Sequence, residues 1–401
     1  MDWQNEHGTQ ARQIADYRTV SPPLVTGAPG IYFSQLAATM QNHIADAVRC
    51  GQSLLTLGSS WSFSNILVND GIALHGDGVE GCFRLDASDL SHGTANPDRT
   101  LVLTAGMTKI QTLNTFLEGK RTPHDLSMRT SGSYDGQCVA GMMATGVHGS
   151  ALGFGAFQNQ VRGVHLITGP TESVWIENGP NQILSEGLVQ QMTGRAAILS
   201  PQLFDAALVH LGGRGIVSTV LIEAAPYFEL DVVRLTRRLL PEDLRALEEG
   251  RFDDFARQCG HDETPYFVEV VLNPFRLPRD SSPITADFLN IADLAMITFY
   301  FERRSLLESE SDTKPAPQLL DLIGEAAPVA IREVAAVSNP LDAIDPKLLY
   351  PILIVGFMIT AGTKRMSWGQ ANGHYEPRTI AGIKVPLHND AFAIARRNGD
   401  N

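Results

Sequence analysis

Two turns in this chain have the residues to capture an anion. GSSWSFS begins at residue 58 and AGMMATGVHGS at residue 140, and each ends or interrupts an apolar segment. In such turns successive backbone N–H groups converge on an oxyanion. Glycine lets the backbone come close, and Ser or Thr hydroxyls add donors. A diphosphate can be held this way without Lys or Arg. Neither turn is GxxxxGK[ST], and neither is a GxGxxG that opens a helix, so P-loop and Rossmann readings do not apply. Taken singly, each is explained as well by a tight structural turn. Together with a third glycine turn, LGGRGIVS from residue 211, and a change of texture at Pro226, they favour a ligand cradle.

Composition narrows the ligand. The 401 residues carry 31 basic and 44 acidic side chains, a formal charge of −13. The basic residues cluster only as pairs, such as Arg237 with Arg238 and Arg396 with Arg397. That balance argues against nucleic acid or an anionic membrane as the main partner. The first 20 residues show no basic-then-apolar signal pattern, and no apolar run reaches the ~18 residues of a membrane span. LLYPILIVGFMITAG comes nearest and is broken by Pro351, Gly356 and Gly362. Cys50, Cys82, Cys138 and Cys259 show no CxxC or metal-like spacing, so they read as reduced thiols of a cytoplasmic protein with no metal site.

The elements that must hold the turns are legible by periodicity. Leu36, Met40, Ile44 and Val48 make one helical stripe, Gly51 stops the helix, and Leu54, Leu55 and Leu57 form a buried strand running into GSSWSFS. A second unit pairs the strand 100–106 with a helix capped by Thr108. Strands VRGVHLIT and ESVWIE are joined by a GPT turn. After Pro226, ELDVVRLTRRL, YFVEVVLNPF and LAMITFYFER read as long strands, with a helical segment at 241–260. This order predicts a second domain with an antiparallel sheet against helices. Helices are expected at 319–337 and after 387, and a strand at 379–387.

Residues 30–226 resemble the PCMH-type FAD-binding domain of the vanillyl-alcohol oxidase superfamily, in particular its alditol oxidase and aldonolactone (gulonolactone) oxidase branch. LLTLGSSWSFSN, LVLTAGMTKIQTLNTFLE, CVAGMMATGVHGS, NQVRGVHLIT and FDAALVHLGGRGIVSTVLIEAAP stand in the family's order. The resemblance implies an α+β fold with two subdomains holding FAD, preceded by an extension at 1–29. An α+β cap (substrate) domain with an antiparallel sheet would follow at 227–401. Carried over by position, Gly58, Ser59, Ser60, Trp61, Ser62 and Phe63 form the first cofactor loop. Gly132, Ser133, Cys138, Gly141, Thr145, Gly146, Val147, His148 and Gly149 form the second. Ile216 would touch the cofactor through its backbone.

Trp61 stands where several relatives carry a His bonded covalently to the flavin. Trp cannot form that bond, so the resemblance implies noncovalent FAD, with Trp61 packed beside it as a large apolar side chain. Loss of the bond implies a lower flavin potential, and with it weaker turnover or another acceptor. Cys138 replaces the branch's usual Ser. Gly132 occupies the small-residue place tied to oxygen access, which favours an oxidase. His148, flanked by Gly146 and Gly149, reads as a cofactor-loop residue rather than a catalytic base, and His75, His92 and His124 as surface histidines.

The implied reaction moves a hydride from a CH–OH group of a sugar alcohol, aldonolactone or related alcohol to FAD, with oxygen as acceptor. The alternatives are a dehydrogenase with another acceptor and a flavin-binding protein with little catalysis. No catalytic base is assigned. Glu269, Glu302 and Lys384 face either a substrate or simply solvent, and alternation sets Glu269 opposite Val268 and Val270. The family's closing C-terminal segment is expected to be missing after RRNGDN.

Overall fold

The computed structural model describes residues 1–272 with breaks at 6–9, 25–26, 63–65, 67–69, 77, 97–98, 120–124 and 133–134. Beyond these it describes 294–303, 354, 361–368, 371, 378–380 and 383–385. The chain forms two compact units. Residues 1–149 and 154–227 make the first; residues 150–153 and the described residues from 228 onward make the second.

The first unit starts with an antiparallel hairpin of β1 (Asp2–Gln4) and β2 (Ala11–Gln13). β3 (Asp16–Thr19) follows, and α1 (Pro29–Arg49) carries the chain to β4 (Leu54–Leu57). β5 (Ile72–His75) lies between β3 and β4, parallel to both. Residues 1–29, expected as an extension, therefore contribute a strand to the first unit's sheet. β3 was not visible as a strand because its residues are only half covered and carry little apolar signal.

The stripe on α1 also departs from expectation at its end. Leu36 and Met40 are fully buried, but Val48 is 67% exposed and Ala47 takes the covered position. Each four-residue step overshoots a 3.6-residue turn, so a strict i+4 series drifts off the core face within three steps. Gly51 ends the helix in the left-handed region at φ 64°, as its residue type predicts.

A six-stranded sheet completes this unit. Its members in chain order are β6 (Cys82–Arg84), β7 (Leu101–Ala105), β9 (Val161–Ile167), β10 (Ser173–Glu177), β11 (Ile198–Leu199) and β12 (Ile216–Glu223). A separate short pair joins β8 (Leu126–Ser127) to β13 (Ala225–Pro226). The large sheet runs β11-β10-β9-β12-β7-β6, antiparallel except at β10 with β11. Its helices are α2 (Ile110–Glu118), α3 (Val139–Ala144), α4 (Glu186–Thr193) and α5 (Pro201–Leu208). Leu103, Ala105, Ile167, Trp175 and Leu221 pack with Phe33, Leu36 and Met40 of α1 and Val189 of α4 in one core. α2 begins one residue later than expected, with Lys109 at its N-cap. Thr108 is instead buried, its hydroxyl aimed at the Val79 carbonyl.

Glu177 is a buried clamp at the end of β10. Its carboxylate accepts from Trp175 Nε1 at 2.7 Å, Ile183 N at 2.5 Å and Leu184 N at 3.1 Å. Burial raises its pKa, against the lowering effect of these donors. A Glu177→Gln variant exchanges a charged acceptor for a neutral one and turns an NH2 towards an N–H donor. A loss of about 1–2 kcal/mol in urea unfolding is expected.

In the second unit β14 (Glu229–Arg237) is followed by α6 (Pro241–Glu248) and α7 (Phe252–Gln258). Next come β15 (Phe267–Val271), β16 (Ala295–Arg303) and β17 (Gly362–Ser367). The antiparallel sheet runs β15-β16-β14-β17, and α6 and α7 cover the face bearing Val233, Leu235, Ile297, Phe299, Val268 and Val270. The single helical segment expected at 241–260 is two helices, broken at Gly250 with φ 68°. β17 escaped notice because, at the sheet edge, its GTKRMS sequence is largely exposed and charged. The expected strand 379–387 is a hairpin of β18 (Arg378–Ile380) and β19 (Ile383–Val385). The helices expected at 319–337 and after 387 lie outside the described residues. Among the described residues, no helix is long and apolar enough to cross a membrane.

Candidate functional site

The first glycine turn leaves β4 at Leu57 and lies against the start of α3. A side chain built on Gly58 would meet Cys138 Cβ at 3.5 Å and Sγ at 3.7 Å. Ser59 Oγ donates to the Gly136 carbonyl and lies 3.4 Å from Cys138 Sγ. Ser60 takes a left-handed backbone, φ 54°, a conformation that costs a non-glycine residue about 1–2 kcal/mol. Among the described residues, no backbone carbonyl accepts from the amides of Ser59 or Ser60 outside the sheet ladders. Trp61 and Ser62 are half-buried. Phe63 lies outside the described residues.

The second segment owes its shape to its glycines. A Cβ on Gly149 would lie 2.3 Å from the Ser131 carbonyl oxygen, and one on Gly132 would lie 2.9 Å from Val147 Cγ1. The strands of loop around 131–132 and 147–149 can touch only because neither glycine has a side chain. Ser133 lies outside the described residues. α3 buries Val139, Met142 and Met143. Cys138, Gly141 and Thr145 fall at i, i+3 and i+7 along its other side. There Gly141 and Thr145 are exposed, and a Cβ on Gly141 would meet nothing within 4 Å. Gly146, at φ 65°, turns the chain out of the helix, with Val147 N bonded to the Met142 carbonyl at 2.9 Å. His148 is exposed, and its Nδ1 lies 3.1 Å from the Gly149 carbonyl oxygen. It forms an isolated bridge with Ala156.

The third turn joins the other two. Leu211 and Gly212 are both left-handed, at φ 51° and 81°. Leu211 N donates to the Ala144 carbonyl at 3.0 Å, at the end of α3. A Cβ on Gly146 would touch Val209 at 3.5 Å, and one on Gly212 would touch Leu55 of β4 at 3.7 Å. Gly215 crosses the Ile167 carbonyl so closely that a Cβ would sit 2.4 Å from its oxygen. Ile216, buried, opens β12 directly afterwards. His210 Nδ1 accepts from Gly212 N at 3.1 Å. Burial, followed by the nearby Arg214 charge, lowers the His210 pKa.

Three turns separated in sequence thus meet in the first unit, through Gly58 on Cys138, Leu211 on Ala144 and Gly212 on Leu55. Sequence reasoning missed Val209 and Leu211, which stand 48% and 59% exposed beside these glycines. A leucine with positive φ has no signature in residue type.

The other candidates lie in the second unit. Glu269 is on the sheet face away from α6 and α7, as alternation predicts, and Tyr300 Oη donates to its Oε2 at 3.3 Å. Tyr300 stacks on Phe267 with centroids 3.7 Å apart. Burial, then the Glu269 charge, pushes the Tyr300 phenol upward. Glu302 shares that face by register, and Lys384 lies on β19. Of the expected surface histidines, His75 is held by Thr19 Oγ1 at 2.9 Å and stacks on Tyr17. His92 is exposed, and His124 lies outside the described residues.

No family model matches the chain. It is 25% identical over 231 residues to an L-gulono-1,4-lactone dehydrogenase of Mycobacterium tuberculosis, covering 58% of this chain and 44% of that protein. It is also 25% identical over 209 residues to a D-arabinono-1,4-lactone oxidase of Saccharomyces cerevisiae, covering 52% and 34%. The chain is similar in sequence to these two aldonolactone oxidoreductases. The matches to these relatives take in less than half of each one's length. Among solved structures, the cholesterol oxidase of Brevibacterium sterolicum aligns with this chain at a TM-score of 0.50. It covers 93% of this chain and 61% of that one at 16% identity, a likeness of fold.

Proposed function

We propose that this chain holds FAD, noncovalently, in an oxidoreductase acting on a CH–OH group of an aldonolactone, sugar alcohol or related small alcohol. The observation that carries the reading is the meeting of three glycine turns, at 58–62, 141–149 and 211–216, in one unit. In this reading residues 30–226 form the two-subdomain PCMH-type domain and residues 227–401 the cap.

The residues present suit such a group. Gly141 faces open space on α3, and the amides of Ser59 and Ser60 have no carbonyl partner among the described residues. Those amides would donate to the diphosphate. Gly146, Val147 and the backbone at Ile216 would border the rest of the cofactor, and Trp61 would flank it with apolar surface. FAD, when bound, supplies the acceptor for a hydride. The chain's own part is to bind and orient it, with no Lys or Arg in the first two turns.

Oxygen is the acceptor we favour. A second reading, a dehydrogenase, has its own support. Gly132 is kept small by contact with Val147 whether or not oxygen passes it, and one relative is named a dehydrogenase.

Anaerobic mixing of the FAD-loaded protein with a panel of aldonolactones, polyols and simple alcohols tests the activity. Bleaching of the flavin absorbance by at least one member is expected. No bleaching by any of them leaves a binding protein without this catalysis. Reoxidation by air, compared with a dye, then separates oxidase from dehydrogenase.

A further inference from the structure

The N-terminal hairpin is attached to the first glycine turn itself. Trp3 of β1 is buried with Ile14, Leu57 and Ala73, and Leu55 packs against the group. The hairpin is therefore fixed on the strand that delivers Gly58. Asn5, one residue beyond β1, is 4% exposed. Its backbone N donates to the Gln10 carbonyl at 3.0 Å, and its side-chain Oδ1 accepts from Gln10 N at 2.9 Å. With the oxygen committed to Gln10, the amide nitrogen points the other way, and Nδ2 donates to the Ser62 carbonyl at 3.0 Å. The two bonds together set which way the amide faces.

We propose that Asn5 is a positioning residue for the cofactor loop, and that the hairpin is part of the cofactor site. This rests on the reading of residues 58–62 as a loop that holds FAD. Ser59 is tied by its hydroxyl to Gly136 at one end, and Ser62 is tied by its carbonyl to Asn5 at the other. Between them lie the left-handed Ser60 and Trp61. A left-handed non-glycine residue persists only where its surroundings impose it. Holding both ends keeps the loop in the conformation described, with the amides of Ser59 and Ser60 not bonded to a described carbonyl. A loop that samples others binds more weakly by the fraction of time it is correctly shaped.

The test uses the full chain, FAD itself and two variants. Asn5→Asp keeps the acceptor for Gln10 N and removes the donor to Ser62; Asn5→Ala removes both. The Asp variant should bind FAD about 10-fold more weakly, the effect of one buried hydrogen bond. Its unfolding midpoint without FAD should fall, because a carboxylate oxygen then faces the Ser62 carbonyl, and the selectivity of the loss is read by hydrogen exchange. In hydrogen exchange without FAD, the amides of 59–62 should exchange faster while the core strands β7, β9 and β12 keep their protection. Asn5→Ala should show the same pattern, larger.

Equal FAD affinity in the Asp variant and the unchanged chain overturns the proposal. So does weaker binding accompanied by faster exchange throughout the first unit, which would make Asn5 a general structural residue. If the unchanged chain takes up no FAD, the functional reading fails and the cofactor role of Asn5 falls with it. Selective exchange at 59–62 would even then report the tie to Ser62.

Discussion

Two glycine-to-alanine variants in the second segment should behave in opposite ways. Gly149→Ala should destabilise the protein by about 3 kcal/mol and lower FAD affinity at least 100-fold, because the new methyl would stand 2.3 Å from the Ser131 carbonyl oxygen. That neighbour is backbone and cannot swing away, so the two loop segments must part. Gly141→Ala meets nothing within 4 Å. It lies inside α3, where exchanging glycine for alanine gains about 0.5–1 kcal/mol of helix stability. If FAD lies along this open side of α3, the same methyl intrudes on it, and affinity should fall about 10-fold or more. Thermal unfolding without FAD, set beside FAD titration, reads both effects. A Gly141→Ala protein that is more stable and binds FAD fully would remove α3 from the site.

His165 should give the fold a pH-dependent weakness. It lies on β9, fully buried, across from Thr219 and Trp175, and neither ring nitrogen has a partner among the described residues. Burial alone holds its pKa down to about 4, against 6.5 for a free imidazole. Between those values the unfolded chain takes up a proton that the folded chain refuses. Stability therefore falls as pH drops through 6.5 and stops falling from this cause below about 4, for a total of about 3 kcal/mol. Carboxylates add their own slopes in the same range, so the measurement is a difference. Urea unfolding of the unchanged chain and of His165→Leu, from pH 7 to 4, should diverge by about 3 kcal/mol, with the variant the steadier at low pH. Parallel curves would contradict the buried neutral imidazole.

The glycine turns were legible because residue type states the backbone requirement directly: Gly51, Gly146 and Gly212 take positive φ, and Gly149 and Gly215 stand where no side chain fits. Alternation likewise set Glu269 opposite Val268 and Val270, and the long strands of the second unit announced themselves by β-branched and aromatic residues. Where the signal failed, the cause was exposure or distance. β3 and β17 are half-covered or edge strands and show no apolar run. The drift of α1 past Ala47 is a matter of angle that a list of i+4 positions hides. The tie between Asn5 and Ser62 spans 57 positions, and nothing in either residue type foretells it. No base emerged because a carboxylate such as Glu269 looks the same in sequence whether it meets a tyrosine, a substrate or water.

The claim on which the rest depends is that the three turns hold FAD by contacts alone. The direct measurement is the visible spectrum of the purified chain, with and without added FAD, followed by acid precipitation. The account predicts flavin absorbance bands on the folded protein, or their appearance on adding FAD, with all of the flavin released into the acid supernatant. A colourless protein that takes up no FAD would contradict the cradle. Flavin remaining on the acid-denatured protein would contradict the noncovalent role given to Trp61.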